Sequence, residues 1–348
     1  MHMINKDKSI KKLSVIGAGS WGSALAIHAA KARLENNIVP HIALWGHRLE
    51  HVLAMQAAKQ NRQYLPDIIF PDNLYPTPNL SEALHNADAI LLAVPSKAFE
   101  QTLLLIKQTL QDENKEPVPI LYATKGLEHG TGRFLHDVIE QHFKGISQAI
   151  LSGPSFAKEV AINLPTAVCI ASSTLNTADF FMPLFHHNCM RIYTNTDVIG
   201  VELGCAYKNV IAIAAGITDG LGFGANARAA LITRGLAEMQ RLGIAVGGRP
   251  ETFMGLTGLG DLLLTATDDQ SRNRRFGIAL GRGDDPKQAQ QSIGQVVEGA
   301  STAIEILRLA HQYKIELPIV EQTYDVIYKN VKPKDAVLKL LLRDPRAE

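Results

Sequence analysis

At 348 residues, 46% apolar and 20% charged, the chain is long enough to bury two cores and too apolar for disorder except near its ends. Lysine plus arginine number 35 against 34 acids, which excludes the broad cationic field that drives nonspecific nucleic-acid binding. Cys169, Cys189 and Cys205 lack CxxC spacing, so a disulfide framework and a cysteine zinc site are both disfavoured and a reducing, cytoplasmic setting fits.

Met1 to Lys8 and Arg343 to Glu348 are polar and expected to fray. The apolar run LSVIGAG after the basic N-terminus is too short and glycine-rich for a signal peptide. No stretch is expected to approach the ~20 apolar residues of a membrane span; the longest, Val210 to Ile217, reads as buried helix. From Lys11 to about Asn195, short β-branched runs alternate with helix-like ones: KLSVIG, HIALW, AILLAVP, VPILYATKG, QAILSGP, TAVCIAS and RIYTN. This grammar predicts an α/β unit, a Rossmann-like, doubly wound, mainly parallel sheet over residues 1–197. The proline- and aspartate-rich NRQYLPDIIFPDNLYPTPN is read as an irregular excursion before a helix near Ser81. After Asp197 apolar residues recur at three- and four-residue spacing, so residues 198–348 should form an all-helical domain.

The first strand runs into VIGAGSWG, which sets Gly17, Gly19 and Gly22 in GxGxxG spacing before a helix. The first glycine permits the tight turn, the second lets a pyrophosphate approach the backbone, and the third allows helix and strand to pack closely. Where NAD-selective folds end the second strand in an acid, this chain has Gly46, His47 and Arg48. A carboxylate would repel a 2′-phosphate and these cations would attract one, so NADPH should be accepted beside NADH. Pairing of Arg48 with Glu50 is the alternative. Further strand ends carry Pro95 and Ser96, Lys125 between Thr124 and Gly126, and Gly153 and Pro154 before a helix start.

In the helical half, Glu202 and Lys208 are the only charged residues between Val198 and Thr218. An unpaired buried ammonium is costly, so Lys208 either reaches the surface or works in proton transfer with a lowered pKa. Asp261, between a glycine turn and LLL, is a helix N-cap, the counter-charge of a lysine, or both. The run DDQSRNRRF, Asp268 to Phe276, offers Ser271, Arg272 and Asn273 as a clamp for a phosphoester, while Arg274 or Arg275 should pair with Asp268 or Asp269 or stay solvated. An RNA-binding reading lacks interleaved aromatics, and the twelve histidines show no metal spacing.

These stretches, with ATKG, SGPSFAKE, ELGCAYKNVIAI, GFGANARAALITRGLAEM, GLGDLLLT, QSRNRRFG and VVEG in that order, closely resemble the bacterial NAD(P)-dependent glycerol-3-phosphate dehydrogenases from about Lys11 to Leu342. The resemblance implies a cytoplasmic enzyme that interconverts dihydroxyacetone phosphate and sn-glycerol 3-phosphate with NADPH or NADH and supplies glycerophospholipid synthesis. It implies Lys208 as proton donor and acceptor, Lys125 touching cofactor and substrate, and cofactor positions at Ser20, Trp21, His47, Ala157, Arg272, Val296 and Glu298. Substrate positions fall on Gly153, Ser155, Asp261, Ser271, Arg272 and Asn273. Cys205 and Tyr207 depart from the smaller or aliphatic residues expected there, and the segment from Lys31 to Pro40 looks long. The rivals are another two-domain hydroxy-acid dehydrogenase and a non-catalytic dinucleotide sensor; a sensor has no use for a costly interior lysine. Oligomeric state, a homodimer included, is left open.

Overall fold

In the computed structural model, residues 10–32 and 38–342 are described. The expectations for both polar ends and for the length of the Lys31–Pro40 segment rest wholly or partly on residues outside that range. Compactness divides the chain into two units. One comprises residues up to Thr124 together with Leu135–Val198, and the other comprises Lys125–Phe134 and Ile199 onward. The segment that starts at Lys125 therefore belongs with the helical unit, although in sequence it follows a strand of the sheet.

Among the described residues, the first unit has eight strands: β1 (Lys12–Ile16), β2 (His41–Trp45), β3 (Leu74–Thr77), β4 (Ala89–Leu92), β5 (Ile120–Tyr122), β6 (Gln148–Ser152), β7 (Thr166–Ala171) and β8 (Met190–Asn195). Their order is 3-2-1-4-5-6-7-8, with every pairing parallel except β6 with β7. The helices are α1 (Ser20–Ala30), α2 (Leu49–Ala58), α3 (Leu80–Leu84), α4 (Phe99–Asp112), α5 (Leu135–His142), α6 (Ala157–Ala161) and α7 (Leu175–Phe181). Leu13, Ser14, Val15 and Ile16, on four successive positions of β1, are all inaccessible to solvent. A strand covered on both faces loses the polar–apolar alternation of a half-exposed one, which explains the unbroken apolar runs in the sequence.

One strand escaped the sequence reading. β3 lies inside the excursion that was expected to be irregular and includes Pro76, opposite Leu44 of β2. Proline lacks the N–H of a ladder and is tolerated at a sheet edge, where β3 sits. The helix expected near Ser81 is α3, capped by the Asn79 side chain accepting from the Glu82 N–H.

The second unit contains α8 (Val198–Gly220), α9 (Gly224–Ala245), α10 (Pro250–Phe253), α11 (Asp261–Thr267), α12 (Arg272–Arg282), α13 (Pro286–Ile293), α14 (Glu298–Tyr313), α15 (Pro318–Tyr328) and α16 (Pro333–Leu341). Contrary to the sequence expectation, α8 is long and apolar enough to cross a membrane by length and composition; 89% of its most apolar window is buried. It serves as the axis of a core that includes Leu203, Ile211, Met239, Phe253 and Ile306. Because other helices cover it, it needs no polar face. Small residues let α12 approach: a Cβ added at Gly216 would lie 2.2 Å from the Arg274 carbonyl oxygen, and one at Gly277 would lie 2.0 Å from that of Ile213.

Candidate active site

The glycine loop joins β1 to α1 as a close-packed turn. Gly17 has φ +120° and donates its N–H to the Trp45 carbonyl at 3.0 Å; a Cβ there would meet the Ala93 oxygen at 2.5 Å. At Gly22 a Cβ would sit 1.9 Å from the Gly17 oxygen. Gly19 differs: among the described residues, no atom beyond its chain neighbours lies within 4 Å of the Cβ position, so its face is open to an approaching group. It caps α1 without a side-chain hydrogen bond, and half-buried Ser20 and Trp21 form the first turn. Two glycines thus serve packing and one leaves space at a helix N-terminus, the arrangement that accepts a pyrophosphate. Asn61 braces the loop by donating to the Ala18 carbonyl at 3.0 Å and to Ser23 Oγ at 2.8 Å. Sequence reading missed it, because it comes from the proline-rich excursion.

At the end of β2, His47 and Arg48 are both exposed. Arg48 is the N-cap residue of α2 and reaches Gln63 Oε1 at 3.0 Å and Tyr64 Oη at 3.4 Å, both neutral partners. Its positive charge is therefore not consumed by either contact. On the same unit Gly153, φ +138°, ends β6 against Val168. Ser155 donates its hydroxyl to the Gly153 carbonyl at 3.0 Å, and Ala157 opens the five-residue α6.

The helical unit carries the ionic centre. Lys208 is 4% exposed and Asp261 1%; the Lys208 ammonium lies 2.5 Å from Asp261 Oδ1 and donates to Thr265 Oγ1 at 2.9 Å. The second carboxylate oxygen of Asp261 accepts from Lys125 Nζ at 3.1 Å. One buried carboxylate thus bridges two lysines. Of the two roles open to Asp261, the structure selects the counter-charge: it is the first residue of α11, whose cap position is Gly260 and has no side-chain hydrogen bond. A π-helical turn at Leu256–Gly260 leads into it. Burial is the largest influence on Lys208 and lowers its pKa from 10.5 to about 8; Asp261 opposes the shift and Lys125 adds to it. Thr265 was not foreseen. Its position four residues after Asp261 places it on the same helix face, a spacing that was available in sequence.

Around DDQSRNRRF the structure separates roles that composition merged. Arg274 is 8% exposed and pairs with Asp219 at 2.7 Å and with Asp269, while Arg275 is exposed. Ser271 caps α12, accepting from the Arg274 N–H at 3.2 Å. Asn273 is turned inward and not toward an open clamp: its Nδ2 donates to Asn209 Oδ1 at 2.9 Å, and its Oδ1 accepts from the Gly299 N–H at 2.9 Å. Half-buried Arg272 donates to Gln295 Oε1 at 3.1 Å. These bonds stitch the run holding Val296 and Glu298 beside Arg272 and Asn273. Asn209, the residue after Lys208, is joined to that stitching through Asn273, a link that no sequence spacing announced.

Placed by unit, Gly17, Gly19, Ser20, Trp21, Gly22, His47, Arg48, Gly153, Ser155 and Ala157 lie on the sheet unit. Lys125, Lys208, Asp261, Ser271, Arg272, Asn273, Val296 and Glu298 lie on the helical one. The first set gathers the glycine loop and the residues at the ends of β2 and β6; the second joins a perturbed lysine to a cation-rich helix start.

Residues 12–178 match the family model described as NAD-dependent glycerol-3-phosphate dehydrogenase N-terminus, and residues 197–338 match the one described as its C-terminus. The chain belongs to this family. Among similar proteins, the glycerol-3-phosphate dehydrogenase (NAD(P)+) of Bartonella quintana is 50% identical, the match covering 97% of this chain and 96% of that one. That of Pectobacterium carotovorum is also 50% identical, over 97% of each. The crystal structure of glycerol-3-phosphate dehydrogenase from Coxiella burnetii has a TM-score of 0.90 and 43% identity, covering 96% of this chain and 99% of that one.

Proposed function

We propose that this chain interconverts dihydroxyacetone phosphate and sn-glycerol 3-phosphate with NADPH or NADH, in the cytoplasm, and so supplies glycerophospholipid synthesis. The observation that carries the reading is the buried Lys208–Asp261–Lys125 centre, next in sequence to a helix start bearing Arg272. A hydroxy-acid dehydrogenase, the alternative, needs a grip for a carboxylate in place of a phosphate dianion, and the relatives at 50% identity are named glycerol-3-phosphate dehydrogenases.

The open face of Gly19 and the uncapped start of α1 would hold the cofactor pyrophosphate, and His47 and Arg48 the adenosine ribose or its 2′-phosphate. When bound, the cofactor supplies the hydride to the ketone carbon. Lys208, with a pKa near 8, holds its ammonium form at pH 7 by about ten to one and donates a proton to the oxygen that becomes the alcohol. In the reverse direction its neutral amine takes the proton back. Asp261 holds Lys208 in place, and Lys125 adds positive charge where the alkoxide develops. The Arg272 guanidinium, at the start of α12, binds the phosphate dianion.

The test is nicotinamide absorbance on mixing the protein with dihydroxyacetone phosphate and each cofactor, beside the Lys208→Met variant. Turnover by the native chain and at least a ~10²-fold loss in a folded variant that still binds NADPH are expected. Absence of turnover with both cofactors would favour the dinucleotide-sensing alternative.

A further inference from the structure

Tyr207, one of the two departures beside the lysine, leads to a buried group that the reaction does not use. Glu238, on α9, is 5% exposed, and its Oε2 accepts from the hydroxyl of fully buried Tyr207 on α8 at 3.2 Å. Its Oε1 accepts from the Ile319 N–H at 2.9 Å. Ile319 is the second residue of α15, a helix that begins with Pro318 and has no side-chain cap of its own. Glu238 therefore supplies that cap from another helix, and one carboxylate joins three helices.

We propose that Glu238 is a positioning residue for Lys208, acting through Tyr207. The proposal rests on the reading of Lys208 as the proton-transfer group. Adjacent residues point about 100° apart around a helix, so holding Tyr207 on one side and Lys208 on the other, by Asp261 and Thr265, fixes the rotation of α8 about its axis. A side-chain tip about 6 Å from the axis moves about 1 Å for a 10° rotation, enough to spoil proton-transfer geometry. An aliphatic side chain at position 207 would fill the space without setting that angle.

The clamp is sensitive to pH. The groups facing Glu238 are Tyr207 from α8, Arg241 from its own helix, and the N–H groups of Ile319 and Val320 from α15; Glu321 of α15 also acts on Tyr207. Burial raises the Glu238 carboxyl from 4.5 to about 7, against the hydrogen bonds that favour the anion. Burial, then Glu238, drives the Tyr207 phenol well above its ordinary value, so it remains a neutral donor. Above pH 7 the carboxylate accepts from both helices. Below it, the added proton removes one acceptor site and the hold on Tyr207 or α15 slackens.

The experiment compares kcat for dihydroxyacetone phosphate reduction from pH 6 to 9, KM for NADPH, and Tm in the native chain, Tyr207→Phe, Glu238→Gln and Glu238→Asp. Tyr207→Phe removes one oxygen and should lower kcat roughly three- to ten-fold with KM for NADPH unchanged. The native kcat should fall on the acid side with a midpoint near 7. Glu238→Gln should lack that limb, and Glu238→Asp should retain one. Lower Tm with unchanged kcat and pH profile would overturn the proposal and leave Glu238 a helix cap only. Should Glu238→Gln not fold, Tyr207→Phe decides alone. Failure of the underlying reading is distinct: it appears as native-like turnover in Lys208→Met, before the clamp variants are compared.

Discussion

Lys208 shows how a residue's surroundings set its use. In sequence it is one cation in an apolar helix; in the fold it is sealed among Asp261, Thr265 and the more distant charge of Lys125. With its pKa near 8, ketone reduction, which needs the ammonium, should lose kcat/KM as pH rises through about 8. Oxidation of the alcohol needs the amine and should lose it as pH falls through the same value. Profiles in both directions that run parallel would show that another group transfers the proton. Arg272 makes a different kind of claim: it opens α12 and donates to Gln295, and the proposed function gives its guanidinium a phosphate to bind. Arg272→Ala should weaken dihydroxyacetone phosphate use by roughly 2 to 4 kcal/mol in kcat/KM, with much less effect on unphosphorylated dihydroxyacetone. Equal losses would assign the arginine to the fold or the cofactor.

Among the elements, α8 is the organiser. It carries Lys208, receives Asn273 of α12 through Asn209, and meets α12 backbone to backbone where Gly216 faces Gly277. Gly216→Ala would press a methyl group to 2.2 Å from the Arg274 carbonyl, with backbone on both sides and no flexible side chain to yield. The variant should lose at least about 1 to 3 kcal/mol of stability, seen as a lower Tm. Its KM for dihydroxyacetone phosphate should rise, since the displaced helix begins with Arg272. An unchanged KM in a destabilised variant would mean that helix contact and phosphate grip are independent. The loop from Lys125 is anchored on the helical unit in a comparable way: Gly130 donates to Glu305 Oε1 at 2.9 Å, and Leu127 and Phe134 join that unit's core.

For the whole molecule, a ligand that binds only the folded state adds RT ln(1 + [L]/Kd) to stability, about 2.7 kcal/mol at a hundred times Kd. NADPH and NADH should each raise Tm. Arg48→Asp should shrink the NADPH shift far more than the NADH shift, because the 2′-phosphate alone distinguishes the two cofactors. Aspartate is itself a favourable N-cap, so α2 should survive the change. Shifts reduced equally would show that Arg48 does not read the 2′-phosphate.

Much of this protein was legible in its sequence because the relevant constraints are local. The glycine spacing after an apolar strand, the change from β-branched runs to helical periodicity near Asp197, and the rarity of lysine in apolar helices each follow from the backbone and side chains of a few neighbouring residues. β3 was hidden because proline is penalised in a strand unless that strand lies at an edge, and position in a sheet is not a local property. Lys125 lies 136 residues from Asp261, so their ion pair, the inward turn of Asn273 toward Asn209, and the capping of α15 by Glu238 required long-range packing to specify them. Sequence alone determined which chemical groups were present and which local shapes they favoured. The tertiary structure decided which carboxylate meets which cation, because burial and distance, and with them every shifted pKa, exist only once remote segments have packed.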